Sequence, residues 1–124
     1  MPYIDPDPHS WLGQVVGDGH CVALLQQQGA CVPHTSQWRP GAKVLGNADL
    51  QPGTAIATFT EGRYGNHTDG RSHAAIFVSQ EAQGFRVVDQ WRLHPPALRV
   101  IRDKQGVPPA ADDASQYHVI EAQP

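Results

Sequence analysis

Gly17-Asp18-Gly19-His20-Cys21-Val22-Ala23-Leu24-Leu25-Gln26-Gln27-Gln28-Gly29 is the stretch on which the fold turns. It reads as a glycine-rich turn opening into a short helix with a cysteine in its first turn. Asp18 is placed to accept from the free N–H groups of that turn. Val22, Leu24 and Leu25 supply apolar contacts, and Gly29 stands where a helix of about two and a half turns takes a terminal glycine. A thiol at the start of a helix meets the positive end of the peptide dipoles and unpaired N–H groups, which favour thiolate. Cys21 is therefore a candidate nucleophile, and a nucleophilic cysteine needs a histidine held against it.

The chain around this stretch has 124 residues, enough for one domain with its own core. Its 12 glycines and 11 prolines imply many turns and short elements. The net charge of −3 gives no basic footprint for nucleic acid or an anionic membrane. No stretch has the length of a membrane-spanning helix. The first ten residues lack the basic and apolar regions of a secretory signal, so the chain is expected to be made and held in the cytoplasm unless another route exports it. They alternate Pro with Asp and read as an extended, loosely docked arm. Two cysteines do not make a disulfide scaffold, but a Cys21–Cys31 bond would consume the thiol.

Residues 10–16 suggest a helical turn that packs Trp11 and Val15 beside the main helix. Thr35-Ser36-Gln37-Trp38 reads as a second turn, stopped by Pro40, with loop from 41 to 53. The pattern then changes to period two. Strands are expected over 54–59, 73–79, 85–91, 98–102 and 117–121. A polar, glycine-rich loop at 61–72 separates the first two, and loops of that length are often functional. Helices first and an antiparallel sheet of about five strands after them make an α+β layout.

His73 is the best base among the seven histidines, because it opens a buried strand directly after the long loop. The hairpin near Gln83-Gly84 brings the next strand back, so Asp89 or Gln90 falls opposite residues 73–75. Asp89 is expected to accept the Nδ1–H of His73 and fix its tautomer, with Gln90 the alternative. The second oxyanion donor is open between Gln14 and the backbone around Asp18–Gly19. Cys21, Cys31 and His34 admit a zinc-site reading, but Cys-x9-Cys-x2-His has no common structural zinc spacing. Trp11, Trp38 and Trp91 read as core, with Trp91 also able to line a cleft.

A cysteine at a helix start, a histidine at a strand start and a polar residue on the next strand resemble the papain-like NlpC and CHAP peptidoglycan peptidases. Longer pieces sharpen the resemblance: Gly19-His20-Cys21-Val22-Ala23-Leu24-Leu25, Thr35-Ser36-Gln37-Trp38-Arg39, Pro52-Gly53-Thr54-Ala55-Ile56-Ala57-Thr58-Phe59, His73-Ala74-Ala75-Ile76-Phe77, Val88-Asp89-Gln90-Trp91 and Tyr117-His118-Val119-Ile120-Glu121. Together they are similar to the small amidase effectors of type VI secretion systems, in the branch described as the second amidase family. One departure is His20, where many CHAP sequences have Gln.

The resemblance implies a papain-like fold over residues 1–124 as one cysteine peptidase domain. It implies Cys21 as nucleophile, His73 as base and Asp89 as third member, with no cofactor and no metal. The substrate would be peptidoglycan peptide stems, cut at the D-alanine–meso-diaminopimelate cross-link in a neighbouring bacterium's periplasm. The partners would be the type VI secretion machinery and a cognate immunity protein that plugs the cleft. A catalytically inactive binding module of the same fold is the competing reading.

Overall fold

The computed structural model describes residues 3–27, 32–67 and 70–122. One α-helix, α1 (Cys21–Gln27), precedes six strands: β1 (Trp38–Lys43), β2 (Ala55–Thr58), β3 (Ala74–Glu81), β4 (Gly84–Trp91), β5 (His94–Arg102) and β6 (Tyr117–Ala122). They form one sheet in the order β1-β6-β2-β3-β4-β5, every neighbouring pair antiparallel. Single 3-10 turns lie at Pro8–Trp11, Thr35–Gln37, Ala110–Asp112 and Ala114–Gln116. The α+β, papain-like expectation stands. The expected Gly29 cap and the Cys21–Cys31 question fall partly on residues 28–31, outside the described residues.

The sheet has six strands where about five were expected, and the extra one is β1. Its Pro40 and Gly41 look like breakers. Yet β1 is an edge strand, where a missing ladder donor is tolerated. Gly41 is required there, because a Cβ would lie 2.8 Å from Glu121 Cγ and 3.1 Å from the Val119 carbonyl oxygen. The other edge, β5, begins at His94 rather than Leu98 and runs through Pro95 and Pro96. The same tolerance applies.

Alternation sorts each central strand onto two faces. Ala55, Ala57, Ala74, Ile76, Val88 and Ile120 face α1, where they bury Leu24 and Leu25 with Val16, Trp38 and Tyr64. The methyl side chains on β2 and β3 let the helix sit close to the sheet. Ile56, Ala75, Phe77, Val87, Ile101 and Val119 form a second core on the opposite face. There Phe85 packs on Phe77 (6.1 Å) and edge-on to Tyr117 (5.6 Å). Each such side chain fully withdrawn from water adds roughly 1.5–3 kcal/mol.

The N-terminal arm, expected to be loosely docked, is tied down, and so is the segment before β6. In the N-terminal arm, the Asp5 N–H donates to the Gly53 carbonyl (2.8 Å) and the Ala55 N–H to the Tyr3 carbonyl (2.8 Å). Asp5 is buried as a result. Gly53, at φ +97°, admits this approach, since a Cβ would overlap the Asp5 carbonyl.

The segment before β6 is organised by Asp113. Its carboxylate accepts from the N–H groups of Lys104 (2.8 Å), Gly106 (2.7 Å) and Ser115 (3.0 Å), and from the Ser115 hydroxyl. Burial pushes this carboxyl up, but those donors hold it below the usual carboxylate range. Asp113→Ala is expected to lower the unfolding free energy by about 3 kcal/mol, because three N–H groups lose their acceptor. Urea denaturation reads this as an earlier midpoint, and an unshifted midpoint would contradict it.

Candidate active site

The Gly17–His20 turn is held from two sides. Locally, the Asp18 carboxylate accepts from the His20 N–H (3.0 Å), and the Gly19 N–H donates to the Val16 carbonyl (3.0 Å). Asp18 thus closes the turn that leads into α1 and does not cap the helix from its first turn. From the sheet, the buried Gln90 side chain accepts from the Val16 N–H (3.1 Å) and donates to the carbonyls of Val16 and His20 (both 2.9 Å). Cys21 follows as the first residue of α1, with a free, partly buried thiol.

His73 stands just before β3 and is buried. Thr58, at the end of β2, fixes its backbone. The Thr58 hydroxyl accepts from the His73 N–H (3.0 Å), and the Thr58 N–H donates to the His73 carbonyl (3.0 Å). The imidazole Nε2 lies 2.7 Å from Asp89 Oδ2. The register Ile76↔Val88 carries Asp89 to the position opposite Ala75, on the face that His73 shares. So Asp89, not Gln90, meets the histidine, and through Nε2 rather than the Nδ1 expected. That leaves Nδ1 as the ring nitrogen not held by Asp89, and the imidazole and the thiol are near enough to shift each other's pKa.

Asp89 is fully buried, and its carboxylate also receives Arg99 Nε (3.0 Å) and Nη2 (2.8 Å). Arg92, nearer to Asp89 in sequence, lies at the cleft wall. Arg99 reaches Asp112 at 3.4 Å, and its guanidinium carbon stands 5.2 Å from the centre of the Trp91 ring. Trp91 stacks on His94 (3.7 Å between centres, 13° between planes) and sets an edge against His73 (6.2 Å). It lines the cleft and shields the imidazole.

The electrostatics follow from this packing. Burial pushes the Cys21 thiol up. His73, the Tyr64 hydroxyl and the Ala74 N–H outweigh that and bring it below the ordinary thiol range. Burial pushes His73 down, but Asp89 and Cys21 raise it to about 9. Asp89 is lifted by burial and held below the usual carboxylate range by His73 and Arg99. Both shifts favour a thiolate beside an imidazolium over the neutral pair.

Cys21 and His73 open on a cleft of about 1080 Å³, with Asp89 buried behind the imidazole. Asp18 and His20 also line it, as do Trp91, Arg92, Arg99 and Asp112. Gln14 does not reach it: it is exposed and donates to the Ser10 carbonyl (3.3 Å). The zinc reading needed Cys31, which is outside the described residues. Three contributors escaped sequence reasoning. Arg99 and Thr58 become legible only once strand register is known, and the task of Gln90 only with the loop in place. Tyr64 is a fourth neighbour of the thiol, with its hydroxyl 3.6 Å from Sγ.

The chain is similar to known proteins along most of its length. The family profile of domesticated amidase effector 2 matches residues 4–120. A type VI secretion amidase effector 2 protein of Salmonella typhi is 43% identical over 94 residues, 74% of this chain and 69% of that protein. A domesticated amidase effector 2 of Ixodes scapularis is 38% identical over 102 residues, 77% of this chain and 69% of that one. The solved structure of a type 6 secretion amidase effector 2 superposes with a TM-score of 0.86 at 32% identity, over 98% of this chain and 96% of the other. A Cys–His–Asp cleft on this sheet and a match along nearly the whole chain lead to one conclusion: the protein belongs to the domesticated amidase effector 2 family and has the fold of the type VI secretion amidase effectors.

Proposed function

We propose that this amidase hydrolyses peptide cross-links of peptidoglycan by acyl transfer through Cys21, at the bond between D-alanine and meso-diaminopimelate. The observation that carries this reading is a cleft lined by Cys21, at the start of α1, and by His73, whose Nε2 is held by the buried Asp89. A cleft of about 1080 Å³ stands at the upper end of ligand-site volumes and suits a branched peptide better than one amino acid. The choice of bond rests on the resemblance to the second amidase branch. The same resemblance supports delivery by a type VI machinery into a neighbouring periplasm, and an immunity protein that plugs the cleft.

The Cys21 thiolate attacks the D-alanine carbonyl, forming an S–C bond and an oxyanion, which meets the Cys21 backbone N–H. Collapse of the intermediate expels the diaminopimelate amine, which takes its proton from the His73 nitrogen not held by Asp89. His73 then removes a proton from water, and hydroxide displaces the thiolate from the thioester. This proton traffic is worth roughly two to four orders of magnitude in rate.

Digestion of purified sacculi with mass analysis of the products tests the assignment. Cross-linked dimers should give way to intact tetrapeptide monomers. Shortened stems would move the cut to the D-glutamate bond, and the absence of product would favour a binding module.

The pH profile should be a plateau with two limbs. Activity rises as pH climbs through the lowered thiol pKa, because thiolate accumulates. It falls as pH passes about 9, because His73 loses the proton it gives the leaving amine. These limbs belong to the coupled pair. A descending limb near pH 6.5 would contradict the ion pair.

A further inference from the structure

Tyr64 sits in the segment between β2 and β3 and has no part in the acyl transfer set out above. Its ring is fixed. It is 9% exposed, it tilts on Trp38 at 4.8 Å between centres, and it belongs to the core beneath α1. The backbone pair Thr60–Arg63 (2.8 and 3.0 Å) closes the turn directly before it. The hydroxyl is thereby set 3.6 Å from Cys21 Sγ, within range of a hydrogen bond to sulfur. Phenylalanine would pack on Trp38 equally well. A hydroxyl buried at this point adds nothing to packing and needs an acceptor.

We propose that Tyr64 is a further catalytic residue, whose O–H donates to the Cys21 sulfur and stabilises the thiolate as attacking group and as leaving group. No bond to Tyr64 forms or breaks. In acylation the hydroxyl holds charge on sulfur until the S–C bond takes the electron pair. In deacylation it receives that charge again as the thioester breaks. Burial and the adjacent sulfur charge raise the phenol far above its ordinary range, so it stays a donor at every working pH. Tyr64 lines a small recess with Thr35, Trp38 and Arg63 and does not line the main cleft. That position suits a group that supports the nucleophile and leaves the substrate side open.

The proposal rests on Cys21 being the nucleophile, and the test separates the two ideas. The groups that set the thiol's titration are His73, with Asp89 and Arg99 behind it, Tyr64 and the Ala74 N–H, while Asp18 and His20 are the titratable groups on its own turn. Tyr64→Phe removes one hydroxyl and keeps the ring. Iodoacetamide modification of Cys21, followed on the peptide that contains it, should show its pH midpoint raised by roughly one unit. Sacculus digestion should show its acid limb moved up equally and kcat about tenfold lower on that limb, with KM and melting temperature close to wild type. An unchanged alkylation midpoint overturns the proposal, even if digestion is slower, since slower turnover alone reflects ring packing. Cys21→Ala is the control. If it still digests sacculi, the nucleophile assignment fails. If it is inert while Tyr64→Phe titrates like wild type, only the role of Tyr64 fails.

Discussion

Cys21→Ala should abolish release of monomers from cross-linked sacculi, with a loss on the order of ten-thousand-fold or more, and leave the fold in place. The size of the loss follows from the chemistry: without sulfur no acyl-enzyme forms, and the other members of such a set cannot act alone. The fold survives because the thiol is partly exposed at the start of α1 and alanine suits a helix. His73→Ala should lose nearly as much, since proton delivery to the amine goes with it, and removing both should cost little beyond either alone. Muropeptide mass analysis beside a thermal melt reads both quantities. A Cys21→Ala protein with near-native turnover and native melting would remove the proposed mechanism.

Asp89→Ala should damage activity and stability together. Its carboxylate binds His73 Nε2 and two Arg99 nitrogens through one oxygen. Removal leaves the Arg99 guanidinium, 25% exposed, short of its main partner. Breaking a fully buried ion pair typically costs 3–5 kcal/mol, and the partial exposure of Arg99 and its contact with Asp112 place the loss near about 3. The imidazole also loses the acceptor that fixes its orientation, so kcat should fall by roughly two to four orders of magnitude. The limb near pH 9 should move down, because Asp89 is one of the groups that raise His73. Asp89→Asn keeps the shape and should recover much of the stability and little of the activity. A full recovery of kcat in Asp89→Asn would show that the residue only packs.

The proposed trio was legible in the chain because each member carries a local mark. Cys21 follows paired glycines, His73 opens an apolar run, and Asp89 sits one short hairpin away. The phase between Asp89 and Gln90 was not fixed by those marks, since a hairpin is uncertain by one residue until its register is known. The sheet was read well at its centre and poorly at its margins. β2, β3, β4 and β6 are rich in β-branched, aromatic and small apolar residues, whereas β1 and the start of β5 contain prolines that only an edge admits. Arg99 read as half-exposed alternation, and its salt bridge depends on the Val87↔Arg99 register. Tyr64 read as a loop residue that contacts substrate or is only solvated, and its place beside the thiol was hidden for a different reason. A tyrosine in a long loop has no periodic neighbour to say which way it folds.

Asp89 and Gln90 are consecutive on β4 and so project to opposite sides of the sheet. One anchors the base, and the other clasps the turn that presents the nucleophile. The spacing between thiol and imidazole is therefore gauged by a single pleat of one strand. Neither half of the site can drift without pulling on the same two peptide units. A one-residue insertion or deletion just before Asp89 would exchange the two projections and dismantle both halves at once, while barely altering the apolar bulk around them.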